Sequence, residues 1–434
     1  MRKSSSMRLS DLFTRTARES AQGEVSRNAR LLTRAGYISQ LMAGVHSFLP
    51  LGLRVLDRIE TIIREEMDGI RAQEILMPAL QPKEIWDRSG RWEKVDVLFK
   101  LTGAGDRELA LGATHEEVVT QLVSGFIRSY RDLPVAVYQV QTKFRNEPRP
   151  KAGLLRAREF RMKDMYSFHT DQASLDEFYE KAIGAYRSIF RRCGLASLTI
   201  LTFASGGIFS TYSHEFQTLT PFGEDLIYRH PGSDSAINRE LIDDETALAE
   251  LLPGFKPNEK ARMEELRAIE VANIFKLGSR FTDAFSARYA DKSGEPQKIM
   301  MGCYGLGSTR LMGAIAECLS DEKGLVWPEE VAPYQVHLVS LVHTPEELEQ
   351  CDAIYEAVSD RGASVLYDDR LLPQAGEKLA DADLLGIPHR VVVSRKTLSH
   401  GCVEWKARLS NESAVVTLDK LTEILARTAQ SSAS

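Results

Sequence analysis

The chain has 434 residues, of which 43% are hydrophobic and 27% charged, and its formal net charge is −6. That length predicts roughly two to four domains with ordinary globular cores. The acidic balance excludes a generally basic nucleic-acid coat, so any RNA contact has to rest on local clusters of Lys and Arg. Five scattered cysteines, Cys193, Cys303, Cys318, Cys351 and Cys402, contain no C-x-x-C pair. They argue against a zinc knuckle or a disulfide framework and for reduced thiols in the cytoplasm. The N-terminal MRKSSSMRLSDLF lacks the apolar core of a secretory signal. No apolar run approaches the roughly 20 residues that span a bilayer, so no membrane association is expected.

In chain order, Val55, Leu56, Ile59, Ile62, Ile63 and Met67 recur at helical spacing and predict a helix over 53–68. The following EILMPAL reads as a short strand, which Pro78 places at an edge or an interface. In AVYQVQTKFR, Gln139, Gln141, Lys143 and Arg145 share one face, and Tyr138, Val140, Thr142 and Phe144 the other. After the turn-like NEPRPKAGLL, REFRMKDMYSF reads as the returning strand of a hairpin. Further on, KIMMGCYGLG predicts a strand ending in glycines, and STRLMGAIAECL a helix with Ser308 as its N-cap. The stretch VWPEEVAP reads as a linker ending at Pro333, and beyond it strands and helices alternate. VHLVSLV, ASVLYDD, HRVVVS and CVEWKAR are strands; PEELEQCDAIYEAVSDRG, AGEKLADADLLG and DKLTEILART are helices. Residues 333–434 thus form a small α/β domain behind a larger α+β domain over 1–330.

Four clusters carry potential chemistry. In GATHEE (112–117), Thr114 and Glu117 have capping-box spacing. That reading leaves Glu116 unexplained, and its carboxylate, joined by the Thr114 hydroxyl, suits an ammonium ligand. In the hairpin, Arg145 follows three polar residues on one face, beside a loop with Arg149, Lys151 and Arg156. A planar guanidinium there suits bidentate contact with carboxylate or phosphate, and Phe160 on the facing strand offers a surface for a purine. GCYGLGSTR (302–310) is neither a Walker loop nor a dinucleotide fingerprint. Arg310 opposes the helix dipole in the first turn of an apolar helix, which makes sense if a polyphosphate lies in front of it. His214 in SHEF (213–216) is a candidate only through its company.

Taken together, GATHEE, TKFRNEPRPKAGLLRAREFRMKDMYSFH, SHEF, MGCYGLGSTR and GEKLADADLLGIPHRVVV resemble the class II aminoacyl-tRNA synthetases, specifically the prolyl-tRNA synthetases of bacterial type. The resemblance runs through nearly the whole chain in one order. It implies a class II antiparallel sheet flanked by helices, with motif 1 at about 53–80, motif 2 at about 135–168 and motif 3 at about 298–319, followed by an anticodon-binding α/β domain. It implies activation of proline with ATP and Mg²⁺, transfer to tRNA(Pro), and a homodimer built on motif 1. By the same resemblance Arg145 and Arg310 are the catalytic arginines. Thr114, Glu116, Arg145, Met162, Tyr166 and His214 would line the proline pocket; Arg145, Glu147, Arg156, Phe160, Ser308 and Arg310 would hold ATP.

Two departures stand out. Only about seventy residues separate Glu224 from Lys298, too few for the large editing insertion of the bacterial type, so no cis-editing of misacylated alanine is expected. Phe209 and Ser210 stand where the family has paired glycines before SHEF. A threonyl synthetase would need a Cys/His zinc set and a seryl synthetase a long N-terminal coiled coil, and the sequence has neither. A non-catalytic paralogue that binds tRNA or regulates another enzyme is the alternative, but such proteins lose the ATP arginines that this chain keeps.

Overall fold

The alternation over 136–145 becomes the strand Val135–Phe144, paired antiparallel with Glu159–His169. On the other edge of Glu159–His169 lies Met300–Leu306, and next to that the long strand Glu264–Gly278. This computed structural model describes residues 6–19, 26–207, 210–229, 235–252, 260 and 262–431. Among the described residues these strands belong to a nine-stranded sheet. Its far part closes into a ring, because Tyr212–Leu219 pairs with both Thr199–Ser205 and Glu264–Gly278, and Ser235–Asn238 and Asp225–Arg229 complete the circuit. Apart from the parallel pairs Thr199–Ser205/Ser235–Asn238 and Gln73–Glu74/Val135–Phe144, the sheet is antiparallel, as the α+β reading expects.

The structure divides into two units, one of Met42–Val45 and Glu60–Ala314, the other of Met1–Leu41, His46–Ile59 and Ile315–Ser434. This differs from a division at 330–333, since N-terminal residues join the C-terminal ones. In the first unit, the helix Gln172–Arg192 packs on one face of the nine-stranded sheet, burying Tyr179, Tyr186 and Phe190. The hairpin's Arg161 makes a two-pronged ion pair with Glu60 of the motif 1 helix, at 2.6 and 2.7 Å. That helix spans Pro50–Gly69 in all, with proline in its first turn, where a missing N–H costs nothing. EILMPAL is not one strand: Gln73–Glu74 and Leu80–Pro82 are strands, and the residues between them hang from side chains. The Met77 N–H donates to Gln139 Oε1, and Gln141 Nε2 donates to the Met77 carbonyl. Pro78 has no N–H to contribute to a ladder, which breaks the strand there.

In the second unit the expected strands appear in the order Val365–Asp368, Val336–Leu341, His389–Ser394, Val403–Ala407, with parallel pairing among the first three. A further strand, Ala414–Val416, extends one edge, and Met7–Arg8 adds to the other beside Val365–Asp368. Arg8 is locked there by Asp352 at 2.9 Å and by the rings of Tyr355 and Tyr367. The stretch read as a linker is packed: Trp327 is buried, its backbone N–H donates to Gly386, and its indole N–H donates to the Tyr37 hydroxyl. Apolar Val326, Trp327, Val331 and Ala332 outweigh its prolines.

Candidate active site

Register decides which side chains can meet. Across antiparallel partners, residues directly opposite one another share a face. Lys143 stands opposite Phe160, Gln141 opposite Met162, Gln139 opposite Asp164 and Val137 opposite Tyr166. Tyr166 and Asp164 in turn face Cys303 and Gly305, and Gly305 faces Asn273, which faces Glu215. These residues form the front of the sheet. Tyr138, Met165, Tyr304, Ile274 and His214 form its back by the same pairings.

The loop 112–117 lies over the front. The helix it leads into is Glu116–Ser124, with His115 at the N-cap and no side-chain cap. The capping-box reading therefore fails: the Thr114 hydroxyl lies 2.7 Å from both oxygens of Glu116 instead of serving the helix N–H groups. Glu116 and Glu117 are both buried, and one nitrogen of buried Arg91 donates to Glu116 at 3.0 Å and to Glu117 at 2.9 and 3.1 Å. Cys303 Sγ also points at Glu116, 3.4 Å away. Beside it the His115 backbone N–H donates to the Tyr166 hydroxyl, which donates to Asp164 at 2.8 Å. Asp164 holds the buried Lys143 ammonium at 2.7 Å, and Lys143 also meets His115 Nδ1 at 2.7 Å. Burial pushes His115 down to about 4, and the Lys143 charge adds to it, so the ring is a neutral acceptor. Burial would raise Asp164, but the Lys143 charge and the hydrogen bonds from Lys143 and Gln139 hold it below its ordinary range. Every element of this platform is fixed by hydrogen bonds before any ligand arrives.

Next to it opens a cavity of about 300 Å³, lined by Arg145, Glu147, Leu154, Leu155, Arg156, Ala157, Phe160, Glu224, Asp225, Ile269, Glu270 and Arg310. Arg145 lies 5.2 Å over the Phe160 ring, and its guanidinium makes no hydrogen bond or ion pair with the described residues. Burial lowers its proton affinity, and the nearby Arg310 lowers it further. Two guanidinium groups facing one cavity make an anion site, since like charges repel until a counter-charge arrives. Arg310 leans on Glu270, donating to its carbonyl at 2.9 Å and lying 3.4 Å from its carboxylate. Glu147 pairs with Arg156 at 2.9 Å, and Arg156 also reaches Glu224 at 3.4 Å.

Five of the six expected ATP residues thus line one cavity; Ser308 does not. It is the first residue of the helix Ser308–Leu319, buried, with its hydroxyl donating to Glu60 Oε1 at 3.0 Å. It ties motif 3 to motif 1, which corrects the expected ATP contact. His214 is also misplaced by the sequence reading. It lies on the back, with Nδ1 2.8 Å from the Tyr179 hydroxyl and its ring 4.6 Å from Phe203. Its neighbour Glu215 turns to the front, where Asn273, Asn238 and Gln217 donate to it. Burial and Glu270 push the Glu215 carboxyl up to about 8. Met162 and Tyr166 both face the front, with Met162 half-buried opposite Gln141.

Phe209 lies outside the described residues. Ser210 folds back so that its carbonyl would sit 2.2 Å from a Cβ at Gly206, so Gly206 is required there. The glycines of GCYGLG divide between two roles. A Cβ at Gly302 would strike the Tyr304 hydroxyl and Ser167 on the back, whereas Gly305 leaves room on the front. Arg91, Asp164, Glu215 and Glu270 were not singled out from the sequence, and Glu117 was read only as a capping-box residue, because nothing local marks these charges as buried. In the second unit Lys378 is buried and donates to Ser340, while Arg361 and Arg395 pair with Asp419 and Glu347.

Comparison with known proteins identifies the family. Residues 99–318 match the family model described as tRNA synthetase class II core domain (G, H, P, S and T). Residues 335–428 match the anticodon binding domain. A relative from Geobacillus sp. (strain WCH70), named proline–tRNA ligase, is 36% identical over 569 residues, covering 98% of this chain and 100% of that protein. One from Bacillus cytotoxicus with the same name is 35% identical over 560 residues, covering 96% and 98%. Alignments of that length on a 434-residue chain require stretches in those relatives with no counterpart here. Two solved structures share the fold: Cryptosporidium parvum prolyl-tRNA synthetase with L-proline and AMP (TM-score 0.74, 18% identity, 93% of this chain and 76% of that one), and the Giardia lamblia enzyme with prolyl-adenylate (TM-score 0.74, 21% identity, 90% and 73%).

Proposed function

We propose that this chain, which belongs to the class II prolyl-tRNA synthetases, works as a proline–tRNA ligase by aligning proline and ATP across Arg145. The proline carboxylate attacks the α-phosphorus of ATP, pyrophosphate leaves, and a hydroxyl of the terminal adenosine of tRNA(Pro) then displaces AMP from the acyl group. The observation that carries this reading is the Arg145 guanidinium. It is unpaired among the described residues, stands over Phe160, lines the same cavity as Arg310, and is near enough to feel the Glu116 charge.

In this reading the ammonium of proline sits on Glu116 and Thr114, with Tyr166 and Met162 as pocket walls. Phe160 stacks on adenine and Glu147 accepts from its amino group. Arg310 takes the γ-phosphate, and Arg156 lies near the phosphates. Arg145 bridges carboxylate and α-phosphate, screening two anions that must meet in line. No protein nucleophile is needed.

No group of three metal-ligating side chains exists among the described residues, but Mg²⁺ is normally held by one or two carboxylates plus phosphate oxygens, and Glu270 lines the same cavity as the phosphate arginines. Glu270, which already touches Arg310, is the residue we assign to it. Bound there, the ion would neutralise polyphosphate charge.

A homodimer is supported by exposed Leu76 and Leu80, 75% and 52% accessible, on the segment after the motif 1 helix. No helix among the described residues is long and apolar enough to cross a membrane. The five free cysteines suit a reducing cytoplasm. ATP–pyrophosphate exchange with each of the twenty amino acids tests the whole reading. Exchange with proline alone is expected; no exchange from folded protein that still binds tRNA would overturn it.

A further inference from the structure

Glu116 does not stand alone, and its partners are not spent on catalysis as described so far. Arg91 is 1% exposed and lies 25 positions before Glu116 in the chain. Its guanidinium lies between two buried rings, 5.4 Å from Trp86 and 5.2 Å from Phe281. Such a slot fixes both the position and the plane of a cation. From it a single nitrogen reaches Glu116 once and Glu117 twice. Glu117, fully buried, also accepts from the Ser89 hydroxyl at 2.6 Å.

We propose that Arg91 is a positioning residue for proline and Glu117 its counter-charge, so that together they aim Glu116 while leaving its negative charge for the substrate ammonium. The reasoning is a charge balance. An arginine donating to Glu116 without a second carboxylate would neutralise it, and the ammonium would meet a site of no net charge. With Glu117 meeting the same nitrogen at 2.9 and 3.1 Å, two carboxylates and one guanidinium together carry one net negative charge. That charge matches one ammonium. Burial and the neighbouring Glu116 push the Glu117 carboxyl up, and the donors it meets, Arg91 and the Ser89 hydroxyl, oppose that by favouring its ionised form. The Thr114 hydroxyl, 2.7 Å from both Glu116 oxygens, then adds a second hold on the carboxylate.

This inference rests on the reading of Glu116 as the ammonium ligand, so the test separates the two. Adenylate formation is followed by pyrophosphate exchange in E116Q, E117Q and the double variant R91Q/E117Q, with thermal unfolding to establish that each is folded. E117Q should raise the KM for proline by about tenfold or more, with the KM for ATP within about threefold of the parent, because Arg91 then neutralises Glu116. Removing both charges restores the single net charge, so R91Q/E117Q should recover about threefold or more of the lost proline affinity relative to E117Q. A double variant no better than E117Q, or an E117Q that moves both KM values alike, overturns the charge balance. If E116Q raises the proline KM while E117Q does not, the ammonium reading stands and this inference falls. If E116Q leaves the proline KM unchanged, both fall.

Discussion

Replacing Arg145 by methionine separates stability from activity in an unusual direction. Its guanidinium forms no hydrogen bond or ion pair with the described residues and stands 5.2 Å over the Phe160 ring. Burial and Arg310 both disfavour its charge in the free protein. An apolar chain of similar length keeps the contact with Phe160 and removes a like charge from Arg310's surroundings. The fold should therefore lose nothing and gain up to about 1 kcal/mol, as commonly happens when an active-site charge is removed. Activity should behave oppositely. Arg145 is assigned two charge-assisted contacts, to the carboxylate and to the α-phosphate, and loss of such contacts costs about 3–5 kcal/mol in the transition state, or about 10²–10⁴-fold in kcat/KM. Arg145→Lys should rescue poorly, since a point charge lacks the planar fork of donors that reaches a carboxylate and a phosphate together. The assay pairs urea denaturation with proline-dependent pyrophosphate exchange on the same preparation. A variant destabilised by more than about 1 kcal/mol would mean that Arg145 has a structural partner in the free protein. One that retains exchange would refute its place in the site.

Three further outcomes are expected. Glu116→Ala should raise the proline requirement far more than the ATP requirement, and Arg310→Ala should do the reverse; steady-state KM values for each substrate check both. His115 is held neutral, its folded value near 4 against 6.5 unfolded, so its contribution is fully present above about pH 6.5 and is lost as pH falls toward 4. At pH 5 that loss is about 2 kcal/mol. The readout is the difference between parent and His115→Asn, which should narrow by about that amount from pH 7 to 5. The whole-protein curve is unsuitable because Glu215, raised to about 8, titrates with opposite sign in the same window. Finally, alanyl-tRNA(Pro) added to the purified chain should persist, and rapid deacylation would show an editing activity in residues that the short span from Glu224 to Lys298 does not provide.

The hairpin and motif 3 were legible because their chemistry is local. Between Gln139 and Arg145, a period of two sorts polar from apolar residues, and the turn returns Phe160 opposite Lys143 with no long-range information. The second unit was legible for a similar reason, since each strand and helix carries its own period; its N-terminal edge strand was not, because two residues, Met7 and Arg8, have no readable period and owe their place to Asp352, Tyr355 and Tyr367. SHEF shows where local reading stops. Its alternation states that His214 and Glu215 point opposite ways but not which way each points. Only pairing with Ile274 and Asn273, some sixty residues on, turns the histidine to the back.

The charged platform was hidden by the same limit. Arg91 looks like an exposed residue between Ser89 and Trp92 until Glu116, Glu117 and two aromatic rings close around it. Lys143 reads as one more basic residue of a surface hairpin, yet it is fully buried on Asp164 and His115. Buried charges are costly unless paired, and a pair of well-packed apolar residues would often be at least as stable. A site that spends two buried cations on holding carboxylates and an imidazole in place therefore shows what the fold is built to keep fixed. On the proposed reading that is the ammonium end of the amino acid. At the other end, on the same reading, Arg145, unpaired among the described residues, meets the two anions that must react.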